Sequence, residues 1–484
     1  MSEVRVFHSH IEVYPYEMGD CPTIEKMMSK YVRMNDNYGK YEPMAYYIEN
    51  NILYLPRGMN TSLLEKHFHT SPVVVSKCDD YNKFKKGEPL YPPKSKIQEN
   101  SIDFLCGDNE YSYTKRYSQL GLNLDTGDGK TYGTVCALLK MKIKAIIFTH
   151  QEKLKNQWLN TFETMTTFPM DKICNISGTE VVDEIMRGEV SAEIYCVNHQ
   201  TIAAYAREYG WTSVRKFFQK IKVGVKVFDE AHKFFENIFM IDSFSNVYKS
   251  FYLTATFGRS DAKEISIYKR SFSSLVRFGE ETINSDEKRK HIKFIVVYYK
   301  SKPAYGILPK VRNQYGFSSY KYIDYALTEE SNSMMKVLYI ILDKIKQLEG
   351  KTLILSPKTE SVDKIAEKVE EYTGEEVGII HSKTTSAKIE DAKVNKKIIS
   401  STIKSVGEGV DIKGLRCLID LEPVSSKILA DQVRGRLREY SPDDDTFLFY
   451  PVDTTVNESY ECLRRILPVM KKKCKEIIYM KVEV

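Results

Sequence analysis

The chain has 484 residues, of which 42% are hydrophobic and 28% are charged, and its formal net charge is +6. This composition is typical of a folded globular protein, with about three domains at ~150 residues each. It excludes collagen-like, mucin-like and mostly disordered chains. The weak positive charge is compatible with nucleic acid as a partner but does not indicate one by itself.

No apolar run approaches the ~18 residues that a membrane span requires, and the first residues lack the apolar segment of a secretory signal. The nine cysteines form no CxxC pair. An odd count without such pairs argues for a reducing compartment and against a disulfide framework or a zinc ribbon. We therefore expect a cytoplasmic protein without a membrane anchor.

The first ninety residues or so differ from the rest of the chain. They are rich in Tyr and Met and hold short apolar runs at 51–56 and 71–76. Three prolines within residues 87–93 then mark a boundary. We predict a small α+β domain at residues 1–90, which is a candidate for DNA binding.

From about residue 94, short β-rich runs alternate with longer helical patterns. Strands are predicted at 120–124, 145–149, 193–198, 223–228 and 250–254, and helices at 130–140 and 151–165. This alternation is typical of βαβ units and of a mostly parallel sheet covered on both faces. The segment therefore predicts an α/β domain at residues 91–285.

A polar stretch at residues 279–290 is a candidate linker, and a second alternating block follows it. A helix is predicted at 331–348 from the apolar stripe of Met334, Leu338, Ile341, Ile345 and Leu348. Strands are predicted at 352–356, 377–380, 397–402, 416–420 and 446–450. Residues 286–484 therefore form a second predicted α/β domain.

The strongest local signal is a Gly-rich turn between an apolar strand and a helix, at residues 120–131. Backbone N–H groups of such a turn converge on phosphate oxygens, and the helix N-terminus adds partial positive charge. Lys130 would reach the β- and γ-phosphates of ATP, and the Thr131 hydroxyl would bind Mg²⁺. The usual pattern has Gly where this chain has Leu124. The candidate nucleotide-binding residues here are Thr126, Gly127, Asp128, Gly129, Lys130 and Thr131.

The apolar run 223–228 ends in two adjacent acids of the sequence Asp-Glu-Ala-His. Strands of parallel sheets end at the crevice where ligands bind. Asp229 could hold Mg²⁺ there, and Glu230 could orient and deprotonate the attacking water. A solvated strand end is the alternative for this motif alone, and the preceding phosphate loop favours the catalytic interpretation.

These two motifs resemble those of the superfamily 2 helicases, in which Asp229–His232 would be motif II. Further motifs follow the family's order, beginning with a glutamine motif at Gln98. Segments similar to motifs Ia, III, IV, V and VI lie at 148–158, 254–256, 353–357, 401–412 and 432–438, and the segment at 196–201 resembles the strand-end motif that follows motif Ia. The resemblance covers about residues 94–455. The compact two-domain core with a small N-terminal domain is most similar to phage helicases of the UvsW type. The layout of the motifs is also similar to that of the poxvirus transcript-release helicase.

The resemblance implies two tandem RecA-like α/β domains with parallel sheets, plus a small α+β N-terminal domain. Gln98 would read adenine, and the second domain would supply Gln432, Arg436, Gly409 and Asp411 to the ATP site. Motif VI departs from the family pattern, because Glu439 stands where a second arginine is usual and Arg438 comes one residue early. Which arginine acts as the finger therefore stays open.

The family also implies how hydrolysis is coupled to motion. An arginine from the second domain can stabilise the transferring phosphoryl group only when the two domains are closed, so hydrolysis would open them. His232, Thr254 and Thr256 are assigned to this coupling. Strand-end hydroxyls suit sugar and phosphate contacts that carry no sequence information, with helix caps as the alternative. The candidates for such nucleic-acid contacts are Thr149, Thr201, Ser356 and Thr402.

The leading hypothesis is an ATP-dependent DNA helicase or translocase, expected to be a monomer, that remodels branched DNA by fork regression or branch migration. Single-stranded or branched DNA would be bound without sequence preference, in the cytoplasm of a phage-infected host if the phage resemblance holds. One alternative is an RNA- or transcription-directed translocase that releases transcripts. Another is a nucleic-acid clamp switched by ATP without unwinding.

Overall fold

The computed structural model describes residues 2–33, 39–124, 128–254, 262–279, 290–301, 311–314, 316–328, 332–407, 412–441 and 443–484. The chain divides into two compact units, Met1–Ser285 and Asp286–Val484. No helix within the described ranges is long and apolar enough to cross a bilayer.

The chain begins with a small mixed sheet, a two-stranded ribbon and two short helices. Their bounds are β1 (Glu3–Val6), β2 (His10–Tyr14), α1 (Pro22–Met27), β3 (Ser29–Arg33), β4 (Gly39–Pro43), β5 (Tyr47–Glu49), β6 (Ile52–Pro56), α2 (Ser62–Phe68) and β7 (Val73–Val74). The sheet has the order β5-β6-β2-β1-β7, and only the β1–β7 pair is parallel. Strands β3 and β4 form the separate antiparallel ribbon.

A seven-stranded parallel sheet forms the centre of the first unit, in the order β10-β11-β9-β12-β13-β8-β14. Its strands are β8 (Gln119–Asn123), β9 (Ala145–Thr149), β10 (Ile173–Ile176), β11 (Ile194–Asn198), β12 (Val225–Phe228), β13 (Lys249–Thr254) and β14 (Val276–Phe278). Strands such as β9 and β12 are buried along their whole length because helices cover both faces.

Eight α-helices and two short 3-10 helices are described around this sheet. The α-helices are α3 (Lys96–Cys106), α4 (Lys130–Met141), α5 (Glu152–Met165), α6 (Thr179–Arg187), α7 (His199–Tyr209), α8 (Trp211–Ile221), α9 (Phe235–Ser243) and α10 (Ala262–Ser271), and the 3-10 helices are Asn109–Arg116 and Met170–Lys172.

The N-terminal sheet shares its hydrophobic core with the seven-stranded sheet. One cluster of buried apolar side chains runs from β1, β2 and β6 into α8 and α9. The ring of Tyr54 packs on Phe244 with centroids 4.9 Å apart, and the Ser118 hydroxyl donates to the backbone oxygen of His8 at 2.7 Å. Lys30 of the ribbon pairs with Glu236 in α9. The first ninety residues therefore pack onto the α/β part of this unit through both apolar and polar contacts.

The second unit is built on another seven-stranded parallel sheet, in the order β19-β20-β18-β21-β22-β15-β23. The strands of this unit, including a small ribbon of β16 and β17, are β15 (Ile292–Tyr299), β16 (Arg312–Asn313), β17 (Gly316–Phe317), β18 (Lys351–Ser356), β19 (Val377–Ile380), β20 (Ile398–Thr402), β21 (Leu415–Asp420), β22 (Thr446–Asp453) and β23 (Glu476–Lys481). Its described helices are α11 (Ser319–Ala326), α12 (Ser333–Ile345), α13 (Thr359–Thr373), α14 (Ser386–Asn395), α15 (Ile403–Gly407), α16 (Lys427–Arg434) and α17 (Asn457–Lys473).

The predicted fold class, two parallel-sheet α/β domains after a small α+β domain, is confirmed. Met334, Leu338, Ile341 and Ile345 are buried along one face of α12, as their spacing predicts. Within the two seven-stranded sheets, four strands were not predicted, namely β10, β14, β15 and β23. The candidate linker lies almost wholly outside the described residues, at 280–289. The boundaries at 90 and 285 stay predictions.

Replacing Tyr54 by Ala should destabilise the whole first unit, because the ring fills the core that the N-terminal sheet shares with α9. Truncating a buried aromatic side chain costs about 3–5 kcal/mol of unfolding free energy. We expect the thermal unfolding transition of this unit to fall by several degrees. Tyr14→Ala is the matched control, because Tyr14 is exposed in the same sheet. An unchanged transition in Tyr54→Ala would show that the N-terminal sheet is only loosely attached.

Candidate active site

The candidate catalytic residues of the first unit lie at one edge of its sheet. The phosphate loop follows β8, the two acids follow β12, and Thr254 ends β13. These strands are neighbours and run parallel, so their carboxyl ends meet at the same edge. The topology alone thus brings together three motifs that are far apart in the sequence.

Lys130 is the first residue of α4 and follows Gly129, whose φ of 82° lies in the left-handed region that favours glycine. The Lys130 ammonium donates to the backbone oxygen of Leu124 at 2.7 Å. Leu124 occupies the place where the usual pattern has Gly, and its side chain is buried. Thr131 lies in the first turn of α4, beside the positive end of the helix dipole. Thr126 and Gly127 lie outside the described residues, while Asp128 is described.

Gln98 lies against the backbone of the phosphate loop. Its amide nitrogen donates to the Gly129 oxygen at 3.2 Å, and its amide oxygen accepts from the backbone N–H of Lys94 at 2.7 Å. A Cβ on Gly129 would sit 2.1 Å from that amide nitrogen. The φ of Gly129 therefore favours glycine at this position, and a larger residue would also displace the Gln98 amide. The predicted adenine contact of Gln98 stays a prediction.

Asp229 and Glu230 stand directly after β12 and are partly buried. The backbone N–H of Asp229 donates to the Phe148 oxygen of β9 at 2.9 Å, which fixes the acid at the sheet edge. One carboxylate oxygen of Asp229 accepts from the Glu230 N–H at 3.0 Å. Glu230 has a φ of 50°, a left-handed conformation that is uncommon for Glu. Its side chain keeps 24% of its surface exposed, so a water molecule can reach it.

The two acids have pKa values that move in opposite directions. Burial, reinforced by the charge of Glu230, raises the pKa of Asp229 to about 6. Burial also acts to raise the pKa of Glu230, but the positive charges of Lys130, His232 and Lys233 outweigh it and lower that pKa. Lys130 thus acts electrostatically on both carboxylates. Glu230 is the more readily ionised of the pair, which suits a group that accepts a proton.

Trp158 is a site residue that sequence reasoning missed. Its side chain is fully buried in α5, and its indole N–H donates to Asp229 Oδ2 at 2.9 Å. The sequence indicates only a packing residue of the motif Ia segment, because no local pattern identifies Trp158 as a partner of motif II. The hydrogen bond lowers the pKa of Asp229 against the opposing effect of burial.

His232 contacts the end of β13, as the coupling hypothesis expects. Its Nδ1 lies 2.8 Å from the Thr254 hydroxyl and 3.3 Å from Glu230 Oε2. The segment is also fastened through its backbone, since the Ala231 N–H donates to the Leu253 oxygen at 2.9 Å. Motif II and the start of motif III are thus in direct contact. Thr256 lies outside the described residues, and the coupling role itself stays a prediction.

The motif VI residues of the second unit lie at the end of α16. Gln432 is within the helix, and Arg436 and Arg438 follow its last residue, Arg434. The Arg436 N–H donates to the Val433 oxygen at 3.1 Å. Arg436 is half-buried, whereas Arg438 is exposed. Gly409 and Asp411 of motif V lie outside the described residues.

The four candidate nucleic-acid residues differ in how accessible their hydroxyls are. Thr149 is buried and donates to Asn198 Oδ1 at 2.7 Å, and the buried Ser356 hydroxyl lies 2.7 Å from that of Ser361. Thr402 caps α15, because its hydroxyl accepts from the Ser405 N–H at 3.2 Å. Thr201 is in the first turn of α7 and is half-buried. The Thr402 contact fits the helix-cap alternative, whereas the hydroxyls of Thr149 and Ser356 contact side chains of the same unit.

Two protein-family models match the chain, one in each unit. The model described as "Type III restriction enzyme, res subunit" matches residues 93–259. The model described as "Helicase conserved C-terminal domain" matches residues 333–439. Together they include Gln98, the phosphate loop, the two acids and motif VI.

The chain is 24% identical over 391 residues to the transcript termination protein A18 of Yaba monkey tumor virus, a match that covers 76% of this chain and 74% of the viral protein. The restriction-modification enzyme LlaBIII bound to DNA matches with a TM-score of 0.55 at 14% identity, over 87% of this chain but only 34% of that enzyme. T4 UvsW aligns over 99% of both chains at 14% identity with a TM-score of 0.38. The structural likeness to LlaBIII speaks for the fold alone.

The two matching models and the parallel sheets define a helicase-type ATPase with two tandem RecA-like domains. The chain belongs to the superfamily 2 helicases, as its motifs predict, and is an ATP-dependent helicase or translocase.

Replacing Trp158 by Phe removes one hydrogen bond to Asp229 while keeping an aromatic side chain in the core. A hydrogen bond to a charged group contributes about 1.5–3 kcal/mol. We expect ATP turnover to fall by at least about tenfold, since ~1.4 kcal/mol is a factor of ten. Steady-state phosphate release measures this. Trp211→Phe is the control, because Trp211 stacks on Phe244 away from the acids. Equal losses in the two variants would contradict a role through Asp229.

Proposed function

We propose that this protein is an ATP-driven DNA helicase or translocase that remodels branched DNA during replication, recombination or repair. The observation that carries the proposal is the meeting of Lys130, Asp229 and Glu230 at one sheet edge of a unit that matches the res-subunit model. The viral origin of the relative suggests an infected cell as the place of action.

In the proposed reaction, the phosphate loop and Lys130 hold the phosphates of ATP at the N-terminus of α4. The Thr131 hydroxyl and the Asp229 carboxylate are hard oxygen ligands of the kind that Mg²⁺ prefers. No cluster of three or more His, Cys, Asp or Glu side chains suited to a metal is found among the described residues. The Thr131 and Asp229 oxygens alone therefore fit a Mg²⁺ ion whose other ligands are water molecules and the phosphates of ATP.

Glu230 is the proposed base that orients the attacking water. The positive charges around it favour its ionised form, and its partial exposure leaves room for a water molecule. His232 touches both Glu230 and Thr254. A shift of the Glu230 side chain on hydrolysis would therefore reach Thr254 at the end of β13 through His232. This contact is the proposed first step of coupling.

The second unit is proposed to sense the γ-phosphate through an arginine after α16. Arg436 fits the family pattern, and its half-buried position limits its side-chain freedom more than that of the exposed Arg438. An arginine held in place loses less entropy when it meets a phosphoryl group. We therefore assign the finger to Arg436.

A transcript-directed translocase is the second candidate, and a specific finding favours it. The viral relative that matches most of both chains is named a transcript termination protein. DNA remodelling is supported by the resemblance of the motif set to helicases of the UvsW type. An ATP-switched clamp would share the same site but would not displace strands. Substrate preference separates the three.

Replacing Lys130 by Ala or Glu230 by Gln should each reduce ATP turnover at least about a hundredfold, because each removes a group that acts on the reacting phosphate or water. Turnover is measured without nucleic acid and with single-stranded DNA, single-stranded RNA, forked DNA and a four-way junction. For the wild type we expect the largest stimulation by branched DNA, together with migration of the junction.

Lys140→Ala is the matched control, because Lys140 lies in α4 but pairs with Asp103 and Asp108. Turnover that survives in Lys130→Ala or Glu230→Gln would overturn the assignment of the site. Preferred stimulation by RNA would favour the transcript-directed candidate. Stimulation without strand displacement would favour the clamp.

Arg436→Ala should lower the maximal turnover rate by about 10³-fold or more, as for other arginines that stabilise transferring phosphoryl groups, with little change in ATP affinity. Arg438→Ala should have a much smaller effect on the rate. Single-turnover hydrolysis and nucleotide binding measured on both variants separate the two steps. The reverse ranking would assign the finger to Arg438.

A further inference from the structure

Three aromatic rings lie together beside the proposed catalytic acids, and the ATP chemistry uses none of them. The ring of Phe234 is 5.1 Å from that of His199 and 5.9 Å from that of His150, measured between centroids. His150 follows β9, His199 follows β11, and Phe234 comes five residues after Asp229 at the end of β12. These three strands are neighbours in the sheet, so the aromatic cluster shares its edge with the acids.

Phe234 is the exposed member of this cluster. Half of its surface, 50%, is accessible, whereas both histidines are buried beneath it. Its φ of 51° lies in the left-handed region, where a bulky residue is rare and costs conformational energy. Its carbonyl accepts from the Asn237 N–H at 3.0 Å, so the residue begins α9. The fold thus holds an apolar ring at the surface in a backbone conformation that the ring itself disfavours.

The two histidines support the ring as neutral groups. Burial lowers the pKa of His150 to about 4, with a further contribution from the charge of Lys233, and burial also lowers the pKa of His199 to about 4. The Asn237 amide nitrogen lies 3.1 Å from His199 Nδ1 and holds that ring in place. At neutral pH the cluster is therefore an uncharged aromatic platform and not a cationic phosphate site.

A short turn joins this platform to the proposed base. The Lys233 N–H donates to the Glu230 oxygen at 2.8 Å and closes the turn. Glu230 and Phe234, at its two ends, both have left-handed φ values. His232 within the turn reaches Glu230 and Thr254. A change in the position of Phe234 is thus transmitted to Glu230 over a few tightly bonded residues.

We propose that Phe234 stacks on a nucleobase of the bound single strand and that this contact positions Glu230 for hydrolysis. This inference rests on the proposed function and adds the chemical group that the protein senses, which is the base and not the phosphate. Aromatic rings stack on every base, so the contact is independent of sequence. If this contact positions Glu230, strands that carry bases activate ATP turnover more strongly than abasic strands do.

The test compares activation of ATP turnover by a thymidine oligonucleotide and by an abasic oligonucleotide of equal length, with a uridine oligonucleotide as the RNA arm. For the wild type we expect the base-bearing strands to be bound more tightly than the abasic strand and to activate more strongly. Phe234→Asn removes the ring while supplying a residue that tolerates the left-handed region. We expect it to lose the difference between strands, with about 5- to 150-fold weaker binding of thymidine strands.

Tyr209→Ala is the matched control. Tyr209 has a similar exposure of 47% and also stacks on a neighbouring ring, that of Tyr205. It ends α7 about 15 Å from His199, at ~1.5 Å of rise per residue. We expect this variant to keep the wild-type preference for base-bearing strands. Loss of the preference in both variants would overturn the assignment to Phe234.

A wild type activated by thymidine strands together with a Phe234→Asn variant that keeps the full preference would overturn the inference and leave the proposed function intact. A wild type that no nucleic acid activates would overturn both. Phe234→Trp gives a second measurement that does not depend on loss of activity. Its added tryptophan fluorescence, taken as the difference from the wild type, should be quenched by the thymidine strand and not by the abasic one. Equal quenching by the two strands would contradict stacking.

Discussion

Asp229 and Glu230 are adjacent, partly buried carboxylates at the end of β12, and several elements of the first unit contribute contacts that stabilise them. Two neighbouring carboxylates repel each other, and partial burial strengthens that repulsion. The Trp158 indole and the Glu230 backbone donate to Asp229, while the charge of Lys130 acts on both acids. The pKa values separate for other reasons: burial and the charge of Glu230 raise the pKa of Asp229, while Lys130, His232 and Lys233 lower that of Glu230. This separation fits the proposed division into a metal-binding acid and a proton-accepting acid. The phosphate loop and α5 are thus linked to the end of β12, because Lys130 and Trp158 both interact with the acids there.

The sequence predicts those parts of the site that depend on neighbouring residues in the chain. The Gly-rich turn before Lys130 and the acids after an apolar strand are local patterns, and the structure brings both to one sheet edge. The stripe that begins at Met334 predicts α12 in the same way, because a helix face is determined by spacing alone. The meeting of these strand ends at one edge then follows from the parallel arrangement of the strands, whereas the order of strands in the sheets was not predicted. The roles of these residues in catalysis remain predictions.

Other features could not be predicted because they arise from contacts between distant segments. Trp158 lies 71 positions before Asp229, and no pattern in α5 distinguishes a packing tryptophan from one that donates to a carboxylate. Tyr54 packs on Phe244 across an even larger sequence separation. The sequence alone therefore predicts the first ninety residues as a separate domain. Thr149 illustrates the opposite case. Its position at a strand end suggests a ligand contact, but its hydroxyl donates a hydrogen bond to the Asn198 side chain. Tertiary packing decides which polar groups remain available.

Helix α9 connects the features that distinguish this chain from a bare motor domain. It begins at the turn that leaves Glu230, and its first turn carries Glu236, which pairs with Lys30 of the N-terminal ribbon. At its other end, Phe244 packs on Tyr54 of the N-terminal sheet. The N-terminal ribbon thus contacts the start of this helix, and the N-terminal sheet contacts its end. Packed interiors transmit strain, so these contacts would support Phe234 against the strand in the proposed stacking. A displacement of Phe234 would then pass along the turn to His232 and Glu230, the residues proposed for coupling and hydrolysis.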